Sequence, residues 1–444
     1  MMNKFMSFLE KYFMPFAGKL AGQRHLNALK DGIILTMPLI IIGSFFLILG
    51  FIPITGYPEF MAGIFGDEWL TKLLYPYNAT FNMMGLIAAF GIAYRLAERY
   101  GIDAITAGAI SLCAFLLATP FTVSFTPEGF KEAVTATDAI PVAMMGSKGL
   151  FVAMVIALFS TEVYNFIIKK NIVIKMPDGV PPAVAKSFAA LIPGFVIIIL
   201  VWLIRLLVEH FHIESIHSII GLVLGTPLGY IGGSLWGSIL AIGLVQLLWS
   251  TGLHGMNIVG GVMNPVWLQA TGENAAAYQA GQELPNIITS QFFEVFVNIG
   301  GSGATFGLLL LMLLWAKSQQ MKQLGKLSAG SGFFMINEPI VFGTPIVMNP
   351  LLIIPFFLAP IVNVIMTYYA MDLGLVAKPS GIAIPWTTPP IIGGFLATGG
   401  HISGSVMQLI NIFVGFFIYL PFFKMWDKLK KQEEDQMEQE TPQA

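Results

Sequence analysis

Charged residues are scarce in this 444-residue chain. Asp, Glu, Lys and Arg together make up 11% of the sequence, whereas hydrophobic residues make up 56% and the mean hydropathy is +0.75. An ordinary soluble domain carries roughly 25% charged residues. The composition therefore excludes an ordinary soluble protein and predicts an all-α polytopic membrane protein, while the net charge of −2 adds no further constraint.

Several common kinds of site are also missing. The single cysteine, Cys113, lies inside an apolar run, which excludes an intramolecular disulfide and a cysteine metal cluster. The sequence has no Walker A loop for ATP and no arginine-rich span that would sense voltage. His210, His212 and His217 do not fall on one helix face with a fourth ligand nearby. We expect neither a metal nor a cofactor.

Long apolar runs dominate what is present. A helix needs roughly 20 apolar residues to cross a bilayer. Nine runs approach that length, near residues 31–52, 78–98, 102–120, 147–168, 183–208, 232–253, 302–316, 350–370 and 402–423. The glycine-rich stretch 381–400 is a candidate for a tenth span.

The distribution of lysine and arginine predicts the orientation. These residues cluster at 1–30, 169–186, 317–326 and 424–431, whereas the alternate connections 53–77 and 119–147 hold one lysine each. The positive-inside rule then places both termini in the cytoplasm and makes the number of spans even. We therefore predict about ten transmembrane helices.

Two amphipathic segments are expected to lie in the membrane interface. In the first twenty residues the aromatic side chains recur at helical spacing between lysines, which is typical of an interfacial helix and not of a cleavable signal. Residues 204–220 mix charged residues and histidines with apolar ones in the same way.

The second of these segments also suggests a domain boundary. Glycine, proline, asparagine and threonine interrupt the apolar runs only in the later part of the chain. We predict an N-terminal domain of about five spans at 1–208, an interfacial linker helix at 209–220, a C-terminal domain at 221–424 and an acidic cytoplasmic tail at 425–444.

Glu338 is the strongest candidate for a functional residue. It is the one formal charge between Lys326 and Asp372, in a run broken by glycine and proline. An ionisable group at membrane depth costs roughly 2.5–3.5 kcal/mol on insertion scales, and irregular backbone there is tolerated only against protein or a water-filled cavity. The pattern predicts a carboxylate that lines a polar cavity. A structural carboxylate capping a re-entrant helix is the alternative.

His254 is the second candidate. No formal charge lies between Ser215 and Gly272, and His254 stands beside Gly255 at the end of an apolar run. The segments Asn257–Pro265 and Ile340–Pro350 resemble each other, and each follows one of the two lone polar residues. Paired interrupted segments indicate a transporter binding site, although short apolar strings also coincide by chance.

Three further residues are weaker candidates. Asn298 precedes the glycine cluster at 300–303 and follows Glu294 by one helical turn; close helix packing would explain the glycines equally well. Trp386 lies in an irregular, proline-rich segment where its ring could stack on a sugar, or belong to an interfacial aromatic belt. His401 follows two glycines and opens the last apolar run.

The chain resembles a known transporter family. The resemblance runs from end to end and rests on Gly22-Gln23-Arg24-His25-Leu26, on Lys30-Asp31-Gly32 leading into Thr36-Met37-Pro38, on Leu253-His254-Gly255, and above all on Ile336-Asn337-Glu338-Pro339-Ile340 with Gly343-Thr344-Pro345. These segments resemble the membrane (IIC) component of the bacterial phosphoenolpyruvate-dependent sugar phosphotransferase system, in its lactose/cellobiose/diacetylchitobiose family.

The resemblance implies a fold and a site. The N-terminal half would form a homodimer in the bacterial cytoplasmic membrane, and a C-terminal half with two re-entrant hairpins would bind the sugar. Glu338 and His254 would lie near the hydroxyl that becomes phosphorylated. Asn298 and Trp386 would line the sugar cavity, with Asn82 and His401 as further contacts.

The resemblance also implies a substrate and partners. A β-linked disaccharide of the cellobiose or diacetylchitobiose type would be phosphorylated by a phosphocysteine of a separate IIB protein, which is supplied by IIA. The cytoplasmic segments of this chain contain no cysteine, so the phosphate donor is expected to be another polypeptide. Membrane lipid is a partner and nucleic acid is not.

Two other functions fit the same residues. A secondary sugar symporter driven by protons or sodium would use Glu338 as its coupling carboxylate. A channel or a structural membrane protein would use the lone polar residues to line a pore or to fix helices.

Overall fold

The computed structural model describes residues 11, 14–126, 132–177, 179–347, 349 and 351–440. Most of them are helical, which confirms the all-α membrane fold. The interfacial helix predicted for the first twenty residues falls mainly outside the described residues, although Met14–Ala21 is helical.

Contacts between residues divide the chain into two compact units. The N-terminal unit comprises Gly22–Leu47 and Phe65–Gly229. The C-terminal unit comprises Ile48–Ile64 and Tyr230–Ala444, together with Met1–Ala21. The functional domains at 1–208, 209–220 and 221–424 stay a prediction.

The first half of the chain consists mainly of helices, with one pair of strands between two of them. In chain order they are α1 (Met14–Ala21), α2 (Arg24–Ile34), α3 (Met37–Gly50), α4 (Tyr57–Phe65), α5 (Trp69–Leu73), α6 (Tyr75–Thr80), α7 (Met84–Tyr100), α8 (Ala104–Ala118), α9 (Val142–Met145), α10 (Leu150–Lys169), α11 (Pro182–Ala189), α12 (Leu191–His210), α13 (Ile216–Ile220) and α14 (Thr226–Gly232). Short 3₁₀ segments at Phe81–Met83 and Ser147–Gly149 and a π-helical turn at Gly221–Gly225 connect some of them. Strands β1 (Thr122–Phe125) and β2 (Val134–Thr137) form an antiparallel pair.

The second half contains longer helices and several irregular stretches, two of which bear on the candidate site. Its helices are α15 (Leu235–Ser250), α16 (Gly255–Gln279), α17 (Phe306–Trp315), α18 (Gln319–Phe333), α19 (Glu338–Gly343), α20 (Ile353–Asp372), α21 (Ile392–Ala397) and α22 (Ile402–Glu440). The first irregular stretch runs from the π-helical turn Phe292–Val297 to residue 305, and we call it the first break. The second runs from residue 376 to 401 and contains α21, and we call it the second break.

The predicted number of ten spans is not confirmed. Among the described residues, six helical stretches are long and apolar enough to cross a membrane: Arg24–Gly50, Tyr75–Tyr100, Ser147–Lys169, Pro182–His210, Ile353–Asp372 and Ile402–Met437. A seventh span would be the pair Ile216–Gly232 and Leu235–Ser250, which is bent by 80°. The helix Phe306–Trp315 has 10 residues and is only about 15 Å long, half the hydrocarbon thickness.

Two segments predicted as helices are interrupted. The stretch 381–400 is not a continuous span, because its prolines cannot donate helical hydrogen bonds and only α21 forms there. Residues 204–220 do not form one interfacial helix either. The span that contains α12 continues to His210, His212 adopts a left-handed backbone with φ 55°, and Ser215 caps the start of α13.

Side chains on two long helices hold the first break in place. Gln408 on α22 donates a hydrogen bond to the carbonyl of Val295 (2.8 Å), and Asn411, one turn later, donates to that of Phe296 (2.9 Å). Asn363 on α20 donates to the carbonyl of Val297 (3.1 Å). A carbonyl left unpaired at membrane depth costs several kcal/mol, so these amides stabilise the irregular backbone.

Backbone carbonyls in the later part of the first break also accept hydrogen bonds from side chains. Thr305 Oγ1 donates to the carbonyl of Gly300 (2.6 Å), and Tyr419 on α22 donates to that of Gly303 (2.7 Å). Gly300, Gly301 and Gly303 all have positive φ, which L side chains rarely adopt. The first break is therefore an ordered turn fixed by α20 and α22.

We predict that Gln408→Leu destabilises the protein. Gln408 is fully buried, and besides its bond to Val295 its Oε1 accepts from the backbone N–H groups of Ile391 (2.7 Å) and Gly394 (2.6 Å). Leucine would leave the Val295 carbonyl and the N–H groups of Ile391 and Gly394 without this partner, at about 1–3 kcal/mol for each group that is buried. Thermal unfolding in detergent, followed by size-exclusion chromatography, should show a clear loss of stability.

The exposed Gln432 on the same helix is the matched control. Gln432→Leu should leave the unfolding temperature nearly unchanged. Equal unfolding temperatures for the two variants would contradict the role assigned to Gln408.

Candidate functional site

Glu338 stands at the start of α19, directly after the apolar segment that ends α18. Its side chain is half-buried. No group in the described part of the chain forms a hydrogen bond or an ion pair with its carboxylate. A half-buried carboxylate without a protein partner is available to bind a ligand that donates hydrogen bonds.

Asn337 fixes the position of Glu338 relative to the first break. Its Nδ2 donates to the carbonyl of Ser302 (2.7 Å) and to Oγ1 of Thr305 (2.9 Å). Gly301, with φ 88°, lies against this amide so closely that a Cβ there would be 2.4 Å from the Asn337 Cγ. The start of α19 is thus joined to the glycine turn, and a larger residue at 301 would separate them.

Asn298 ends the π-helical turn on the other side of the same glycine cluster. It is 8% exposed, and its Oδ1 has no hydrogen-bond partner among the described residues. The hydrogen bonds of Asn337 therefore link the glycine turn that follows Asn298 to the start of α19, where Glu338 lies.

Glu294 is a residue that the sequence analysis did not select. Glu294 is half-buried one turn before Asn298, and its carboxylate has no hydrogen-bond or ion-pair partner among the described residues. Glu294 is the one formal charge between Glu283 and Lys317, so the criterion that selects Glu338 also selects it. A lone charge in an apolar run is therefore the sequence signal that points to Glu294 as well.

His254 caps the start of α16. Its Nδ1 accepts a hydrogen bond from the backbone N–H of Asn257 (3.3 Å). A neutral imidazole that accepts through Nδ1 carries its proton on Nε2, and the His254 side chain is exposed.

Trp249 connects His254 to α19. Its ring centroid lies 4.6 Å from that of His254 and 6.3 Å from that of Phe342 on α19. Trp249 also belongs to the buried apolar cluster that contains Ile340 and Val341. The lone histidine and the helix that begins at Glu338 therefore pack against one tryptophan, a link that no sequence motif revealed.

Trp386 and His401 belong to the second break. Trp386 is 44% exposed, and the irregular segment that carries it leads to Ile391. Gln408 accepts from the backbone N–H of Ile391 and donates to the carbonyl of Val295, so it links this segment to the first break. The His401 side chain is exposed, and its carbonyl accepts from Thr398 Oγ1 (3.1 Å). Both residues are thus on elements attached to the first break.

Asn82 lies in the N-terminal unit. It is half-buried, and its amide donates to Oδ1 of Asn78 (2.8 Å). The described residues contain no group of three or more His, Cys, Asp or Glu side chains arranged to hold a metal ion.

Comparison with known proteins decides the family. The family described as "Phosphotransferase system, EIIC" matches residues 30–360. The chain belongs to this family. It is a IIC permease, a membrane component that works with IIA and IIB proteins and a sugar, and this result favours phosphotransfer-coupled transport over a symporter.

Individual relatives cover nearly the whole chain. The lichenan permease IIC component of Bacillus subtilis is 62% identical over 100% of this chain and 98% of its own length. The cellobiose-specific EIIC component of Geobacillus stearothermophilus is 60% identical over 98% and 96%. The crystal structure of the IIC component of an N,N′-diacetylchitobiose-specific phosphotransferase system is 56% identical, has a TM-score of 0.93, and covers 96% of this chain and 99% of that one.

We predict that Gly301→Ala lowers phosphotransfer to sugar by about tenfold or more. The new Cβ would displace Asn337 and hence Glu338, and displacements near 1 Å cost up to about 10² in rate. The rate of sugar phosphorylation by purified phospho-IIB would measure the effect.

Gly330 provides a matched control, because a Cβ there would meet nothing within 4 Å. Gly330→Ala lies in α18 and should be neutral or slightly stabilising. A Gly301→Ala variant as active as this control would show that the Asn337 contact does not position Glu338.

Proposed function

We propose that this protein carries a β-linked disaccharide of the cellobiose or diacetylchitobiose type across the bacterial cytoplasmic membrane and presents its 6-hydroxyl for phosphorylation. The observation that carries the proposal is the Glu338 carboxylate, which Asn337 holds beside the first break and which no described protein group engages. A sugar supplies the hydroxyl donors that this carboxylate lacks.

The substrate class follows from the relatives. The names of the three relatives given above refer to lichenan, cellobiose and diacetylchitobiose, and these relatives are 62%, 60% and 56% identical to this chain. All three names denote β-linked sugars, and two denote glucose-based ones. We therefore place β-glucosidic disaccharides first and the N-acetylated disaccharide second.

Glu338 and His254 carry the chemistry of the transfer. The Nε2–H of His254 donates to the oxygen of the sugar 6-hydroxyl and fixes its orientation. The Glu338 carboxylate accepts the proton of that hydroxyl while the oxygen attacks phosphorus. The phosphorus–sulfur bond of the IIB phosphocysteine breaks, and the cysteine leaves as a thiolate. A positioned base of this kind contributes typically about 10² to 10⁴ in rate.

The remaining residues bind the sugar. The Oδ1 of Asn298 and the carboxylate of Glu294 lack partners among the described residues, and both accept hydrogen bonds from sugar hydroxyls. The exposed ring of Trp386 stacks on the apolar face of a pyranose ring. Asn82 and His401 are further sugar contacts in this proposal.

The assembly follows from the same proposal. The N-terminal half forms a homodimer and both termini lie in the cytoplasm, where the separate IIB protein reaches the sugar. The donor cysteine belongs to IIB, and IIA recharges it. Phosphorylation then retains the sugar inside the cell.

Glu338→Gln should impair phosphorylation far more than binding. The amide keeps the size of the side chain and one acceptor oxygen but cannot take a proton. We expect the phosphotransfer rate from phospho-IIB to fall by about 10² or more, while the sugar dissociation constant changes by less than about tenfold.

Glu283→Gln is the control for the loss of an acid, because the Glu283 side chain is 92% exposed and pairs only loosely with Lys378 (3.4 Å). It should leave both quantities unchanged. Small and equal effects of Glu338→Gln on binding and transfer would remove Glu338 from the reaction.

Competition among labelled disaccharides should rank the substrates. We expect cellobiose to compete most strongly for the purified protein, diacetylchitobiose next, and an α-linked disaccharide such as maltose not at all. Uptake should require IIB and survive an uncoupler. Uptake that an uncoupler abolishes and that does not need IIB would instead identify a symporter.

A further inference from the structure

Two basic side chains in the N-terminal unit share one aromatic ring. The Cζ of Arg24 lies 5.6 Å from the centroid of the Tyr100 ring, and the Nζ of Lys169 lies 5.1 Å from the same centroid. Neither cation has an acidic partner within ion-pair distance among the described residues, and both side chains are exposed. Two like charges on one ring repel each other and together attract an anion.

The Tyr100 ring is held in place by hydrogen bonding of its hydroxyl. The Tyr100 hydroxyl donates to Glu162 Oε1, and His25 Nε2 lies 2.8 Å from the same oxygen. Glu162 is therefore engaged by two other groups. Gln23 accepts from the backbone N–H of Leu26 (2.6 Å) and sets the start of α2, so Arg24 is held in position by its neighbours on both sides.

The positions of these residues at the ends of spans indicate how deep the two cations lie in the membrane. Arg24 begins the span Arg24–Gly50, whereas Tyr100 and Lys169 end the spans Tyr75–Tyr100 and Ser147–Lys169. Three span ends therefore meet where the two cations lie. Ends of spans lie at the level of lipid headgroups, where lysine and arginine contact phosphate.

An exposed aromatic ring lies close to these cations in the sequence. Phe166 on α10, one turn before Lys169 and Lys170, is 59% exposed, and the Nζ of Lys170 lies 5.9 Å from its ring centroid. Free phosphate would need only the cations. A lipid would use both the cations and the ring, because its headgroup is anionic and its chains are apolar.

We propose that Arg24 and Lys169 bind the phosphate of an anionic phospholipid, with Lys170 beside it and an acyl chain along Phe166. The predicted orientation places this site in the cytoplasmic leaflet, which is the leaflet that attracts basic residues. The site uses none of the residues assigned to sugar, so it stands or falls independently of the proposed function. It gives the Gln23-Arg24-His25 motif a role that sugar handling does not explain.

The test compares lipids on the purified full-length protein. Native mass spectrometry would count bound phosphatidylglycerol and phosphatidylcholine at equal concentrations. We expect the wild type to retain phosphatidylglycerol, and the double variant Arg24→Gln/Lys169→Gln to bind it at least about tenfold more weakly. Lys148→Gln is the matched control, because Lys148 is exposed at the opposite end of the same span, Ser147–Lys169.

Two further measurements separate charge from folding and a bound lipid from free phosphate. The charge-conserving variant Arg24→Lys/Lys169→Arg should fold and retain most of the binding, which separates charge from folding. Inorganic phosphate at millimolar concentration should not displace the lipid. Equal retention of both lipids by the wild type, unchanged retention by the glutamine double variant, or full displacement by inorganic phosphate would each overturn the proposal.

Discussion

The pairing of side-chain amides with an interrupted backbone is the interaction on which the rest of the C-terminal unit depends. The first break leaves helical hydrogen bonds unmade in a part of the chain surrounded by apolar helices. Gln408, Asn411 and Asn363 replace these bonds from α22 and α20. Without them the irregular turn would expose carbonyls to an environment that offers no water. The polar residues of the long helices thus serve the break, and the break presents the candidate site.

The same logic explains why the two strongest candidate residues lie on separate elements. A carboxylate and an imidazole on one regular helix would be held at fixed helical spacing. Here Glu338 begins a short helix and His254 caps the start of another, so each side chain lies where the backbone turns. Trp249 packs between the elements and sets their spacing. In the proposed function, this irregular backbone is what lets the His254 donor and the Glu338 acceptor approach one sugar hydroxyl.

The sequence predicts some of these features well and others poorly, for physical reasons. Charge scarcity correctly predicts the membrane fold, because it depends only on the cost of moving charge out of water. The same cost makes a lone charge in an apolar run a candidate for function, and the role of Glu338 stays a prediction. The number of spans was less predictable, because hydropathy treats the 10-residue helix Phe306–Trp315 and the interrupted stretch 381–400 like continuous spans. The contact of Gly301 with Asn337 joins residues 36 positions apart, as the numbering shows, and no local pattern encodes it.

The hydrogen bonds around the breaks also constrain how a sugar can be moved. Gln408 joins the two breaks, since one end of its amide accepts from Ile391 and Gly394 and the other donates to Val295. If one break moved past the other, this amide would lose partners on one side, and each unpaired backbone group in a membrane interior costs several kcal/mol. Motion of both breaks together with α22 keeps all three bonds. A sugar bound between the elements that carry Asn298 and Trp386 is therefore expected to travel with its whole site, and the flexible points must lie outside this hydrogen-bonded group.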